Sequence, residues 1–209
     1  MKFMKSYLWK MDEKDLEKSN IASYSKFVEQ NYKINLGYDF NKLWKWSINN
    51  PVNFWKSIWN FTKVEGEIGK NLFEKSDIFY KNRFFPEAKL SYAKNLLKKN
   101  NSDPSIIFYS ENGYKNILSW KNLNLNVAKI SNFLRLNGVS KGDRVAAYLP
   151  NIPETVTAYI STSAIGAIWS SCSPDFGTEG VIDRFSQISP KILFIGDKYF
   201  YNGKKINIL

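Results

Sequence analysis

The side chains that could do chemistry in this sequence are few, and their spacing excludes the most familiar reactions. Ser170, Ser171, Cys172 and Ser173 put three hydroxyls and a thiol in a row. A nucleophile elbow would set one of them between glycines as Gly-x-Ser-x-Gly, and none is so placed. The chain contains no histidine, so neither a Ser-His nor a Cys-His relay can form. The usual neutral-pH base and the commonest zinc ligand are absent with it. Gly66-Glu67-Ile68-Gly69-Lys70-Asn71 lacks the spacing and the closing Ser or Thr of a phosphate loop. Asp175, Glu179 and Asp183 recur at intervals of four, which on one helix face would suit a hard cation. Asp175 precedes the expected helix, however, and Thr178, Glu179 and Asp183 read as a cap and solvated first turns. No catalytic and no metal-ligating residue is therefore assigned.

Composition narrows the classes further. The net charge of +11 suggests a nucleic-acid binder, but only four of the 30 basic residues are arginine (Arg83, Arg135, Arg144, Arg184) and the lysines are scattered. Base readout leans on arginine forks, so no nucleic-acid partner is expected. Cys172 is the only cysteine; it cannot close an internal disulfide, which points to a reducing, cytoplasmic setting. At the N-terminus Lys10, Asp12 and Glu13 interrupt any signal-peptide core. Thr155 to Pro174 is uncharged and long enough to span a bilayer, but it carries eight serine and threonine hydroxyls and Gly166. It reads as a buried helix followed by a buried strand, with no membrane partner.

The elements that must position any site follow from periodicity. Asp39 caps a helix carrying Phe40, Leu43, Trp44 and Ile48, and Asn50-Pro51 opens a second with Phe54, Trp55, Ile58 and Trp59 on one broad face. Residues 62–90 read as a connecting segment. SIIFYS and YKNIL flank Glu111-Asn112-Gly113, whose Asn-Gly step is expected to supply the positive φ values of a tight hairpin. Ser119 caps a helix with Trp120, Leu123, Val127, Ile130 and Leu134 in register, ended by Gly138. Then strands at 144–149, 167–172 and 191–196 alternate with helices at 153–166 and 178–188. Strands so separated pair in parallel, and the fold class is α/β with a βαβαβ unit behind a helical N-terminal segment. Ligands bind such sheets at the carboxyl ends of strands, here the loops at 149–153, 172–178 and 196–204.

Four runs in order, GDRVAAYLPNIPE (142–154), GAIWSSCSPDFG (166–177), DRFSQISPKILF (183–194) and YNGKK (201–205), resemble the acetoacetyl-CoA synthetase branch of the adenylate-forming acyl-CoA ligase superfamily. YDFNKLWKWSINNPVNFWKSIWNF (38–61) and FFPEAKLSYAKNLL (84–97) are similar to the N-terminal segment of acetyl-CoA-synthetase-type ligases. The first run marks the superfamily broadly, whereas Trp-Ser-Ser-Cys-Ser-Pro-Asp-Phe-Gly is similar to the acetoacetyl branch in particular. The resemblance implies a helical segment over 1–98 and the first part of an AMP-dependent synthetase domain over 99–209. It also implies a fragment, whose adenylation motifs and C-terminal domain belong to a missing remainder of its own chain. The implied reaction joins acetoacetate to coenzyme A at the expense of ATP, with Mg2+, through an acyl-adenylate. The 209 residues alone are expected to be inactive. An acetyl- or propionyl-type ligase and a non-enzymatic module that binds coenzyme A or a nucleotide are the alternatives. Position by position, the resemblance brings coenzyme A to Ser173, Pro174 and Asp175, and to a turn containing Tyr201 and Lys204. Lys204 keeps a positive charge without arginine's fork. Tyr201 departs from an arginine of the acetyl-type pattern, and Asp175 carries a charge that repels phosphate.

Overall fold

The structure, a computed structural model, describes Trp9 and residues 11–208. The chain divides into two units between Lys89 and Leu90.

The first unit is helical. Helices α1 (Glu13–Lys18), α2 (Asn20–Tyr32), α3 (Phe40–Asn49) and α4 (Pro51–Phe61) follow one another. As the capping pattern predicts, the Asp39 carboxylate accepts from the N–H groups of Asn41 and Lys42. Asn50 does occupy the cap of α4, but its side chain donates back to the Trp46 carbonyl instead. Proline at the first position of α4 needs no such help, because its fixed φ already suits a helix and it has no N–H to satisfy. Tyr24, Val28, Leu36 and Leu43 form the buried core, with Trp46, Phe54, Ile58 and Phe61 packed against it. The Ser57 hydroxyl donates to the Phe54 carbonyl and pairs with the Tyr24 hydroxyl at 2.5 Å, so this buried polar pair is satisfied.

Residues 62–90 are more ordered than a plain connector. They hold the short strands β1 (Gly66–Glu67), β2 (Phe73–Glu74) and β3 (Arg83–Phe84), and β4 (Lys89–Leu90) crosses the division. β2 and β3 pair antiparallel, placing Phe73 opposite Phe84. Two-residue strands carry no readable alternation, which is why the sequence conceals them.

The second unit begins with α5 (Tyr92–Leu96), followed by the hairpin β5 (Pro104–Tyr109) and β6 (Lys115–Ser119) and the helix α6 (Trp120–Leu136). The hairpin turn differs from expectation. Only Gly113 has positive φ, and Ser110 and Tyr114 close a longer loop through a 2.8 Å backbone bond. The Asn-Gly step here supplies one left-handed residue and not two. At the end of α6 the Val139 N–H reaches the Leu134 carbonyl and Gly138 reaches Arg135, the paired bonds of a Schellman cap. Leu134 and Val139 pack together in one core cluster. Burying Leu134 completely contributes roughly 2 kcal/mol.

The parallel core follows as predicted: β7 (Arg144–Tyr148), α7 (Pro153–Ala164), β8 (Ile168–Cys172), α8 (Thr178–Ser186) and β9 (Ile192–Ile195). The strand order is β8-β7-β9, all parallel, with Ala146 level with Ser170 and Leu193. Strand alternation sends Val145, Trp169, Ile192 and Phe194 into one cluster with Leu134 and Val139. Ala146 and Cys172 enter another with Val181 and Phe185 of α8. The central strand is buried, as its Val-Ala-Ala run requires. β8 is not the buried strand expected from its sequence, since only Cys172 is buried on it. It is an edge, and the sequence pattern of an edge and an interior strand of a parallel sheet is the same. Gly177, not Thr178, occupies the cap of α8.

The hydroxyl-rich stretch explains itself in α7. The Thr157, Ser161 and Thr162 hydroxyls donate to the carbonyls of Pro153, Thr157 and Ala158. Ser161 also reaches Val127 on α6, and Ser131 returns a bond to Ser161. Small polar residues satisfied within their own helix let α6 and α7 approach closely. No helix of the described residues is long and apolar enough to cross a membrane.

One further hairpin closes the unit: β10 (Lys198–Tyr201) pairs with β11 (Lys204–Asn207) around Asn202 and Gly203.

Candidate functional site

A cavity of about 420 Å³ opens in the second unit at the carboxyl edge of the parallel sheet, where an open α/β sheet receives ligands. Four segments wall it. The corner after β7 contributes Pro150 to Glu154, the loop after β8 contributes Ser173 to Asp175, and β10 contributes Lys198 to Tyr201. The fourth, the tip of the β5–β6 hairpin with Phe108, Tyr109, Glu111 and Tyr114, was not among the loops the sequence pointed to. Hairpin position relative to the sheet is a long-range property, and no local signal in residues 105–119 carries it.

Of the residues assigned from the sequence, Ser173, Pro174, Asp175 and Tyr201 line this cavity, and Lys204 does not. Lys204 sits opposite Tyr201 in the register of the second hairpin, across the two-residue turn. Asn202 and Gly203 both have positive φ, +49° and +72°, the signature of the primed turn that suits the twist of two paired strands. Two alternating runs around Asn-Gly were there to be read in KYFYNGKKIN. Taken as a loop, they concealed β10 and β11, and with them Tyr199 and Phe200 of the wall.

The β8–α8 loop is held from the sheet. The Tyr148 hydroxyl, at the carboxyl end of β7, lies 2.9 Å from the Pro174 carbonyl and 2.6 Å from the Phe176 carbonyl, which share its single proton. Ser173 donates to the Asp175 carboxylate at 2.7 Å. Arg184 of α8 lies over the Phe176 ring at 4.2 Å and donates to the Gly180 carbonyl, so its charge is held on the helix. Asp175 stands before α8 and does not share a helix face with Glu179 and Asp183. Among the described residues no three acidic or cysteine side chains gather as a metal site would require.

The lining is aromatic and, where charged, mostly acidic. Tyr109, Tyr114, Tyr199, Phe200 and Tyr201 line it with aromatic rings, and Glu111, Glu154 and Asp175 outnumber Lys198. Burial pushes the Tyr199 phenol up from its ordinary value, and the nearby Asp175 charge adds to that. Lys198 is engaged with Asp197 at 3.2 Å. Such a cavity favours an uncharged ring over a bare anion, because carboxylates repel phosphate while π-faces accept any flat heterocycle.

The sequence model of the AMP-binding enzyme family matches residues 96–207, more than half of the chain. The chain belongs to this family. The AMP-binding match takes in the whole parallel sheet and every segment of the cavity wall. The acetoacetyl-coenzyme A synthetase of Rhizobium meliloti is 40% identical over 201 residues, which cover 96% of this chain and 31% of that protein. The acetoacetyl-CoA synthetase of Xenopus tropicalis is 35% identical over 202 residues, 95% of this chain and 30% of that protein. Among solved structures, the acetoacetyl-CoA synthetase from Streptomyces lividans superimposes with a TM-score of 0.89 at 30% identity, covering 97% of this chain and 32% of that one. The chain thus spans about 30% of the length of the curated relatives it matches.

Proposed function

We propose that this chain supplies the coenzyme A edge of an acetoacetate–CoA ligase, which converts ATP, acetoacetate and coenzyme A to acetoacetyl-CoA, AMP and diphosphate. The observation that carries the reading is the cavity at the sheet's carboxyl edge, which gathers Ser173, Pro174, Asp175 and Tyr201 from segments far apart in sequence. The names of the similar proteins support the choice of acetoacetate. A carboxylate is a poor electrophile; adenylation gives it a good leaving group, which the coenzyme A thiol then displaces. Mg2+ would neutralise the phosphates of ATP in the first step. The residues of this chain act in the second step. They hold the nucleotide end of coenzyme A so that its thiol is presented in a fixed direction, a contribution from positioning and not from proton transfer. The rings of Tyr109, Tyr199 and Tyr201 offer faces for the adenine, and the β8–α8 loop pinned by Tyr148 gives a rigid wall. The buried free thiol of Cys172 fits a reducing, cytoplasmic compartment.

Two measurements test this. Titration of the 209-residue chain with coenzyme A is expected to give saturable binding that Tyr201→Ala weakens about tenfold, the size of one lost base–aromatic stack. Grafting the chain in place of the matching part of the Rhizobium meliloti protein is expected to preserve acetoacetate-dependent consumption of coenzyme A. A graft that prefers acetate would reject the substrate assignment.

A further inference from the structure

The tips of the two hairpins meet at the rim of the cavity. Glu111, in the β5–β6 turn, accepts a hydrogen bond from the Gly203 backbone N–H at 3.2 Å, across 92 residues of sequence. Gly203 is the second of the two left-handed residues of the β10–β11 turn. Both Glu111 and Tyr201 line the cavity. A carboxylate on the backbone N–H of a left-handed turn residue is the arrangement an external oxyanion would make at the same place. The cavity itself offers an anion little else, since its remaining charged walls are Glu154, Asp175 and a Lys198 already paired with Asp197.

We propose that Glu111 is a specificity-determining residue, whose carboxylate occupies the Gly203 N–H that the ribose 3′-phosphate of coenzyme A would take. The proposal rests on the reading that this cavity receives the nucleotide end of coenzyme A. With the adenine among the aromatic rings, the adjoining ribose reaches the rim, and its 3′-phosphate must displace Glu111 and approach its negative charge. Glu111 therefore lowers the affinity for the 3′-phosphorylated nucleotide selectively. A ligand without that phosphate leaves the bond between the hairpins intact.

The test is calorimetric titration of the 209-residue chain with coenzyme A and with dephospho-coenzyme A, which differ only in the 3′-phosphate. Glu111→Gln keeps an acceptor for Gly203 and removes the charge. It is expected to tighten coenzyme A about fivefold while changing dephospho-coenzyme A less than about twofold. Glu111→Ala removes acceptor and charge together, and is expected to move the ratio of the two affinities in the same direction. A ratio unchanged in both variants, with coenzyme A still bound by the wild type, overturns the role of Glu111 and leaves the cavity assignment standing. Absence of saturable coenzyme A binding in the wild type and both variants overturns the cavity assignment, and the role of Glu111 with it.

Discussion

Lys191 Nζ lies 2.8 Å from the Asp143 carboxylate and 3.1 Å from the Gly138 carbonyl, so one side chain ties the start of β9 to the start of β7 and to the cap of α6. Asp143 also accepts from the Ser140 N–H and hydroxyl. Its neighbour Arg144 donates through Nε to the Ile188 carbonyl and through Nη2 to Ser189. The Gly-Asp-Arg-Val run therefore fastens the amino ends of the strands, the edge opposite the cavity. Conserving strand register there fixes the height at which the loops at the other end emerge.

The Lys191 ammonium, with Ser140, holds the Asp143 carboxyl well below the usual carboxylate range. A depressed folded value contributes stability that is complete above the unfolded value of about 3.9 and fades as pH falls below it. Asp143→Asn is therefore expected to lower Tm near pH 7, with the gap to wild type narrowing steadily as pH falls below about 4. Parallel melting curves across that range would show that the charge of Asp143 does not matter.

Tyr148→Phe removes only the hydroxyl that holds the Pro174 and Phe176 carbonyls. The expected cost is about 1 kcal/mol in denaturant unfolding. Hydrogen exchange should accelerate at residues 175–177 while the central strand β7 keeps its protection. Uniform acceleration through the sheet would instead mark Tyr148 as a general packing residue.

Ser161 is fully buried between α6 and α7. Replacement by Ala loses its hydroxyl bonds to carbonyls of Val127 and Thr157, at about 1 kcal/mol, whereas Ser161→Leu overpacks a closed interface and is expected to cost about 3 kcal/mol. Similar unfolding free energies for the two variants would mean that the helices separate without penalty.

Gly69 and Gly113 both have positive φ, +83° and +81°, yet a Cβ at Gly69 would stand 2.6 Å from Glu87 Cβ and one at Gly113 would meet nothing. Gly113→Ala pays only the left-handed backbone term, about 1 kcal/mol. Gly69→Ala adds a clash with the residue whose carboxylate accepts from Lys70 and Asn71, and about 2 to 3 kcal/mol in total is expected. Chemical denaturation of both variants measures the difference directly.

What the sequence determined by itself is everything carried by neighbouring residues. Ser119, Asp39 and Gly138 mark helix ends because a cap satisfies groups only a few positions away. The alternation of Val-Ala-Ala, Ile-Trp-Ser and Ile-Leu-Phe runs with helices implies a parallel sheet because only crossovers connect strands so spaced. The carboxyl edge, and Ser173 to Asp175 upon it, followed from that topology. Tertiary structure alone decided which of the three strands lies at the centre of the sheet, that the β5–β6 hairpin completes the cavity, and that Glu111 meets Gly203. It also left Lys204 outside the cavity wall that Tyr201, its partner in register, lines. These outcomes depend on register and twist accumulated over tens of residues, and a side chain's own neighbours in sequence hold no record of them.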